Sequence, residues 1–196
     1  MPSQLRTFIA IEIPPAIQEK LVTIVREAHL TPENGFRPVR SGMIHITLKF
    51  LGDTDSTLLP RIGEILAAIA KSYPPFDVQA KGLGAFSSWD HPRTVWAGLA
   101  YPKALPALAA QIDEQCARFK FARETRPFSP HLTLARVSEN ANREKTAACL
   151  QPLRQNALLD FGNLTVSKIT FFRSTLQAGG SIYTPIATYP LSQGKV

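Results

Sequence analysis

The chain has 196 residues, 44% hydrophobic and 19% charged, which is enough for one domain, or two small lobes, around a substantial core. Its longest apolar runs, such as ILAAIA at 65–70, are far too short to span a bilayer, and the opening MPSQLRTFIAIEIPP lacks the charged, apolar and cleavage regions of a secretory signal. The formal charge of +7 favours a polyanionic partner, with the basic residues scattered and not gathered into a tail.

In chain order, RTFIAIEI at 6–13 reads as a strand, stopped by Pro14 and Pro15, which open a helix. Ile17, Leu21, Ile24 and Ala28 form that helix's buried stripe. A second helix, capped by Asp55 or Ser56, carries Leu58, Ile62, Ile65 and Ile69. The strands FDVQAKGLGAF at 76–86 and RTVWAGLA at 93–100 follow, then a third helix from about 103 with Leu105, Leu108, Ile112 and Phe119. The closing pair is LTVSKITFFRSTL at 164–176 and SIYTPIATYPL at 181–191, turned at Gly179 and Gly180. With two histidine segments described below, this makes about seven strands and three or four helices, an α+β architecture. Cys116 and Cys149 sit near neither a CxxC spacing nor a histidine cluster, which predicts reduced thiols in the cytoplasm, Cys116 in the core.

Two of the four histidines fall in one repeated frame, HITLKF at 45–50 and HLTLAR at 131–136. On a strand, alternate side chains share a face, so His45 and Thr47 point one way while Ile46 and Leu48 point the other. His131 and Thr133 stand likewise against Leu132 and Leu134. Either segment alone reads as a polar residue at a core edge, with threonine chosen for its β propensity. Two copies point instead to paired imidazoles and hydroxyls converging on one phosphate-sized volume. His29 and His91 lack this context and are assigned to the surface.

An unperturbed imidazole titrates near 6.5, so one can take a proton at neutral pH while another gives one. Phosphodiester cleavage by water needs both acts, with the hydroxyls of Thr47 and Thr133 hydrogen-bonding the non-bridging oxygens. The sequence shows neither HExxH nor a carboxylate cluster, and no metal or cofactor is expected.

These residues carry a family resemblance over nearly the whole chain: RTFIAIEIP, HITLKFLGD, GLGAF then PRTVWAG, FSPHLTLARV, and ITFFRSTL followed by GGSIY and a final PL. The chain resembles the two-histidine (2H) phosphoesterases and, within them, the RNA 2',3'-cyclic phosphodiesterases, also called LigT-like 2'-5' RNA ligases. The resemblance implies a single unit, 1–196, of two pseudo-symmetric lobes, each an antiparallel sheet with helices on its outer face, around a central groove. It implies hydrolysis of a terminal 2',3'-cyclic phosphate on RNA to a 2'-phosphate, with 2'-5' ligation as a side reaction. His45 is expected as the acid at the departing 3' oxygen and His131 as the base on water, the two roles being exchangeable on sequence. A basic residue ending the second motif is typical, which makes Arg136 a candidate phosphate contact. Regular strand parity, however, sets it on the face opposite His131, so it reaches the site only if a bulge or the strand's end redirects it. Phe86 is either a stacking face for the terminal base or a core residue, Tyr183 is expected in the core in preference to the border of the groove, and Pro38 stands after Arg37 where relatives often have tryptophan. The expected partners are RNA ends or nucleotides with a 2',3'-cyclic phosphate, with no membrane, bound by a cytoplasmic monomer. Two other readings stay open: an RNA-end-binding module without turnover, and the same centre acting on another cyclic nucleotide.

Overall fold

The computed structural model of the protein describes residues 3–177 and 180–192. The chain begins with β1 (Gln4–Glu12) and α1 (Pro15–Glu27), whose first free amides, those of Ile17 and Gln18, donate to the Pro14 carbonyl. β2 (Phe36–Pro38) and β3 (His45–Asp55) follow. Asp55 accepts from the Thr57 amide at 2.8 Å and so caps a short 3-10 turn leading into α2 (Leu59–Ala70). Next come β4 (Phe76–Phe86), β5 (Thr94–Ala100), α3 (Ala104–Ala117), β6 (Leu132–Val137) and α4 (Arg143–Gln155), the last capped by Asn142. β7 (Asp160–Val166), β8 (Lys168–Gln177) and β9 (Gly180–Pro190) complete the chain.

The strands form one antiparallel sheet in the order β7-β4-β5-β6-β3-β1-β8-β9, with β2 also on β6. Among the described residues, its two halves meet only between the histidine strands, through the pair Ile46↔Leu132. Beyond that pair, the edge of β6 turns away from β3 and bonds β2 from Val137 to Ala135. A groove opens where the two strands part. The lobes are therefore two four-stranded runs joined at one point.

Helices cover the outer face of each run in an exchanged manner. α2 and its neighbour α3 lie on the first lobe, α2 against β8 and β9 and α3 against β3, while α1 packs on β6 and β7 and α4 on β4. α1 thus leaves β1 to cover the opposite lobe, and α3 does the reverse. Ile9, Leu21, Leu66, Leu108, Ile112 and Leu134 belong to the core between sheet and helices. Alternate residues of β1 face the other way: Phe8 and Ala10 join Phe172 in a small apolar cluster on the groove side, with Tyr183 against it.

Two expectations need correction. The described residues hold nine strands, not about seven, because the short β2 (Phe36–Pro38) was not foreseen and the segment 164–176 is broken at Ser167. β7 pairs with β4 and β8 with β1, so the chain changes lobes at this point. Propensity runs unbroken through LTVSKITFF, and only adjacent exposed Ser167 and Lys168 mark the break. Of the expected turn glycines, Gly179 lies outside the described residues, and Gly180 (φ +112°) pairs with Gln177 at the start of β9. Cys116 is buried as expected, His29 and His91 are exposed, and no helix among the described residues is long and apolar enough to cross a membrane.

Candidate active site

β3 and β6 share more than a sequence frame. In β3, Ala10 pairs with Thr47 and Ile9 with Lys49, so Leu48 is an extra residue in the ladder. In β6, Trp96 pairs with Thr133 and Val95 with Ala135, so Leu134 is extra at the same place. Each bulge puts two consecutive residues on the core side, Leu48 with Lys49 and Leu134 with Ala135, all four buried. The next residue returns to the groove. Parity is thereby reset: Arg136 shares the exposed side of Thr133, and of the two redirections that the sequence allowed it is the bulge that is present. The same reset brings Phe50 to the groove in β3, a residue sequence reasoning passed over although the two frames superimpose Phe50 on Arg136.

Extended by one residue either side of Ile46↔Leu132, the antiparallel register sets His45 across from Thr133 and Thr47 across from His131. The two imidazoles are held alike. Nδ1 of His45 lies 2.7 Å from the Met43 carbonyl, and Nδ1 of His131 lies 2.8 Å from the Ser129 carbonyl. A carbonyl can only accept, so each ring carries a proton on Nδ1 and leaves Nε2 for other partners. Tyr183 and Phe8 flank His45 with ring centroids at 5.2 and 4.9 Å. Phe86 meets His131 nearly edge-on at 4.8 Å and leans on Trp96 at 5.4 Å, so this ring packs beside the second imidazole.

The loops behind the two histidines are tied down by different chemistry. Buried Gln18 of α1 donates to the Ile44 carbonyl at 3.1 Å and accepts from the Gly42 amide at 3.1 Å, which fixes the turn that carries Met43. Ahead of His131, Lys49 donates to Asp113 and, at 2.6 Å, to the Ala122 carbonyl, while Asp113 accepts from the Glu124 amide at 3.1 Å. Both side chains of this ion pair are nearly buried, at 8% and 13% exposure. Sequence reasoning missed Gln18, Lys49 and Asp113, because each acts through a partner distant along the chain.

The groove encloses about 470 Å³ and is lined by His45, Thr47, Thr133, Arg136, Phe50 and Tyr183, with Arg6, Arg37, Pro38 and Arg40 around them. His131 and Phe86, half-buried, stand outside this lining. Tyr183, expected in the core, instead borders the groove, because its register opposite Ser174 sets it on the face of Phe8 and not on the helix side. A second hollow of about 640 Å³ lies across His45 and Tyr183, lined by Glu12, Glu19, Ser167 and Lys168 among others. Among the described residues, no three or more His, Cys, Asp or Glu side chains are gathered so as to hold a metal ion.

Burial holds His45 below the usual imidazole value; its hydrogen bond to Met43 opposes this, and the positive charges of His131 and Arg136 reinforce it. Burial alone would raise the Asp113 carboxyl. The hydrogen bonds from Lys49 and Glu124 and the Lys49 charge outweigh it and hold that carboxyl below its ordinary range. Burial pushes the Cys116 thiol up to about 11, which leaves it inert.

Two histidine strands joined at a single pair, with His45, Thr47, Thr133 and Arg136 lining one groove and His131 beside it, define a class as well as a shape. The chain belongs to the 2'-5' RNA ligase superfamily, whose family model matches residues 13–177. Among similar proteins is an RNA 2',3'-cyclic phosphodiesterase of Escherichia coli K12, 30% identical over 189 residues, spanning 96% of this chain and 97% of that one. One of the same name from Methanocaldococcus jannaschii is 31% identical over 182 residues, spanning 93% and 98%. The crystal structure of E. coli LigT complexed with 3'-AMP superimposes with a TM-score of 0.74 at 28% identity, covering 97% of this chain and 100% of that one.

Proposed function

We propose that the protein hydrolyses the terminal 2',3'-cyclic phosphate of RNA, or of nucleotides carrying that group, to leave a 2'-phosphate. The observation that supports this best is the matched anchoring of His45 and His131 through Nδ1, which leaves Nε2 of each ring, on adjoining strands, for proton transfer. Water attacks phosphorus as His131 takes its proton; the bond from phosphorus to the 3' oxygen breaks as His45 supplies a proton to that oxygen. Thr47, Thr133 and Arg136 bind the non-bridging oxygens as charge builds on them, and Phe86 steadies the His131 ring. Both proton transfers are supplied by imidazoles, so the proposed reaction uses neither metal nor nucleotide cofactor.

A second reading exchanges the two roles. The lowered pKa of His45 favours it, since a base must be neutral before it acts. On the first reading, the bound phosphate anion has to restore the His45 proton. Ligation of a 5'-hydroxyl end by the reverse chemistry is a side reaction, because water vastly outnumbers any alcohol. One chain supplies both motifs, so the acting form is a monomer, and its unpaired cysteines suit the reducing cytoplasm.

The test is turnover of RNA ending in a 2',3'-cyclic phosphate, in chelator, by the protein and by His45→Ala and His131→Ala. Conversion to the 2'-phosphate and a loss of at least about 100-fold in each variant are expected. Binding of the RNA end without any product would overturn the proposal in favour of a binding module.

A further inference from the structure

We propose that Phe50 is a stacking platform for a base upstream of the terminal nucleotide, which makes short RNA strands, not cyclic mononucleotides, the preferred substrates. This rests on the reading above and adds where the rest of the strand lies. Phe50 is 48% exposed, and Leu176, 70% exposed, lines the same groove. Two large apolar side chains open to water in one groove offer a face on which a weakly hydrated ring can settle.

The charge of the groove says which partner. Among the described residues, its charged lining besides His45 is Arg6, Arg37, Arg40 and Arg136, with no carboxylate. The hollow on the other side of His45 carries Glu12 and Glu19 beside Lys168, and so repels a phosphate chain more than it attracts one. A polyanion with stackable rings fits the first and not the second. The guanidinium of Arg6 lies over the Phe50 ring, 4.7 Å from its centroid, and holds one face of the ring while remaining within the groove for a phosphate.

Distance assigns the ring to an upstream base. Phe50 stands three residues beyond Thr47, the phosphate-binding side chain nearest to it on β3, roughly 10 Å at about 3.3 Å per residue. That is farther than the base of a nucleotide whose phosphate lies between the histidines can extend. A cyclic mononucleotide therefore leaves Phe50 uncovered, and a strand of a few nucleotides covers it.

The experiment compares a 2',3'-cyclic mononucleotide with a trinucleotide ending in the same group, at fixed salt, for the protein, Phe50→Ala and Phe50→Trp. The protein should favour the trinucleotide in kcat/KM. In Phe50→Ala, KM for the trinucleotide should rise at least about fivefold, the lower range for loss of one stacked base, with kcat held. The mononucleotide, which does not reach the ring, serves as control, and Phe50→Trp should restore the preference. An equal loss on both substrates, or an unchanged trinucleotide KM, would overturn the proposal. A binding arm separates it from the reaction: labelled trinucleotide is titrated into His131→Ala with and without Phe50→Ala. At least fivefold weaker binding in the double variant supports the platform even if hydrolysis fails, and equal binding overturns it.

Discussion

In β3 the groove position after the bulge carries Phe50; in β6 the equivalent position carries Arg136. The two strands otherwise agree in frame, in the placement of the extra residue and in the carbonyl that orients each imidazole. Their surroundings differ. His45 is enclosed by Phe8 and Tyr183 and its loop is held by the neutral amide of Gln18, whereas the approach to His131 is held by the Lys49–Asp113 ion pair. The backbone device is duplicated and the chemistry is divided. One lobe offers an apolar, desolvated wall, and the other a guanidinium that can grip phosphate.

The sharpest break of this comparison uses a leaving group that needs no proton. With a 4-nitrophenyl ester of a nucleoside 2'-phosphate, His45→Ala should recover toward the parent rate, while His131→Ala stays at least about 100-fold down. The opposite pattern would assign the acid to His131.

Next in size is the removal of Asp113, which leaves Lys49 buried and unpaired. Asp113→Ala should lose about 3 kcal/mol in denaturant unfolding, and Lys49→Met with Asp113→Leu should regain much of it. If the double variant keeps stability yet loses turnover, the pair matters for seating His131. Arg136→Lys keeps the charge but loses the fork, and a roughly tenfold fall in kcat/KM is expected. Phe50, at the matching position, should show no such loss on a mononucleotide.

The smallest effects are in pH. The folded value of His45 lies below its unfolded value near 6.5, so the unfolded chain binds more protons between them. Thermal stability should therefore fall as pH drops through that window, and bound phosphate should reduce the fall. A second decline is expected as pH drops below about 3.8, the ordinary value of the Asp113 carboxyl, through its lower folded value. Asp113→Asn should remove only this lower one. A profile without the first decline would contradict the enclosure of His45.

The paired histidines and threonines were legible because a strand repeats every two residues, and both copies begin before their bulges. The facing of Arg136 was not, since the single extra residue at Leu134 leaves no mark in the hydrophobic pattern: Leu134 and Ala135 look like any apolar pair. The change of lobes at Ser167 was hidden for a similar reason. Which neighbour a strand pairs with is decided by tertiary packing, and Val166 and Ile169 are equally apolar. Gln18 was passed over because nothing local marks it: its role depends on Gly42 and Ile44, which fold back upon it from across the chain.

The exchanged helices have a mechanical consequence. Since α1 covers the sheet run built by β4 to β7 and α3 the run that holds β3, neither motif can come loose while the other stays seated. Amide exchange at Ile46 and Leu132 should accordingly report the same protection, that of global opening. A backbone nick in the connection after β5 should yield two interlocked fragments, not two separable halves.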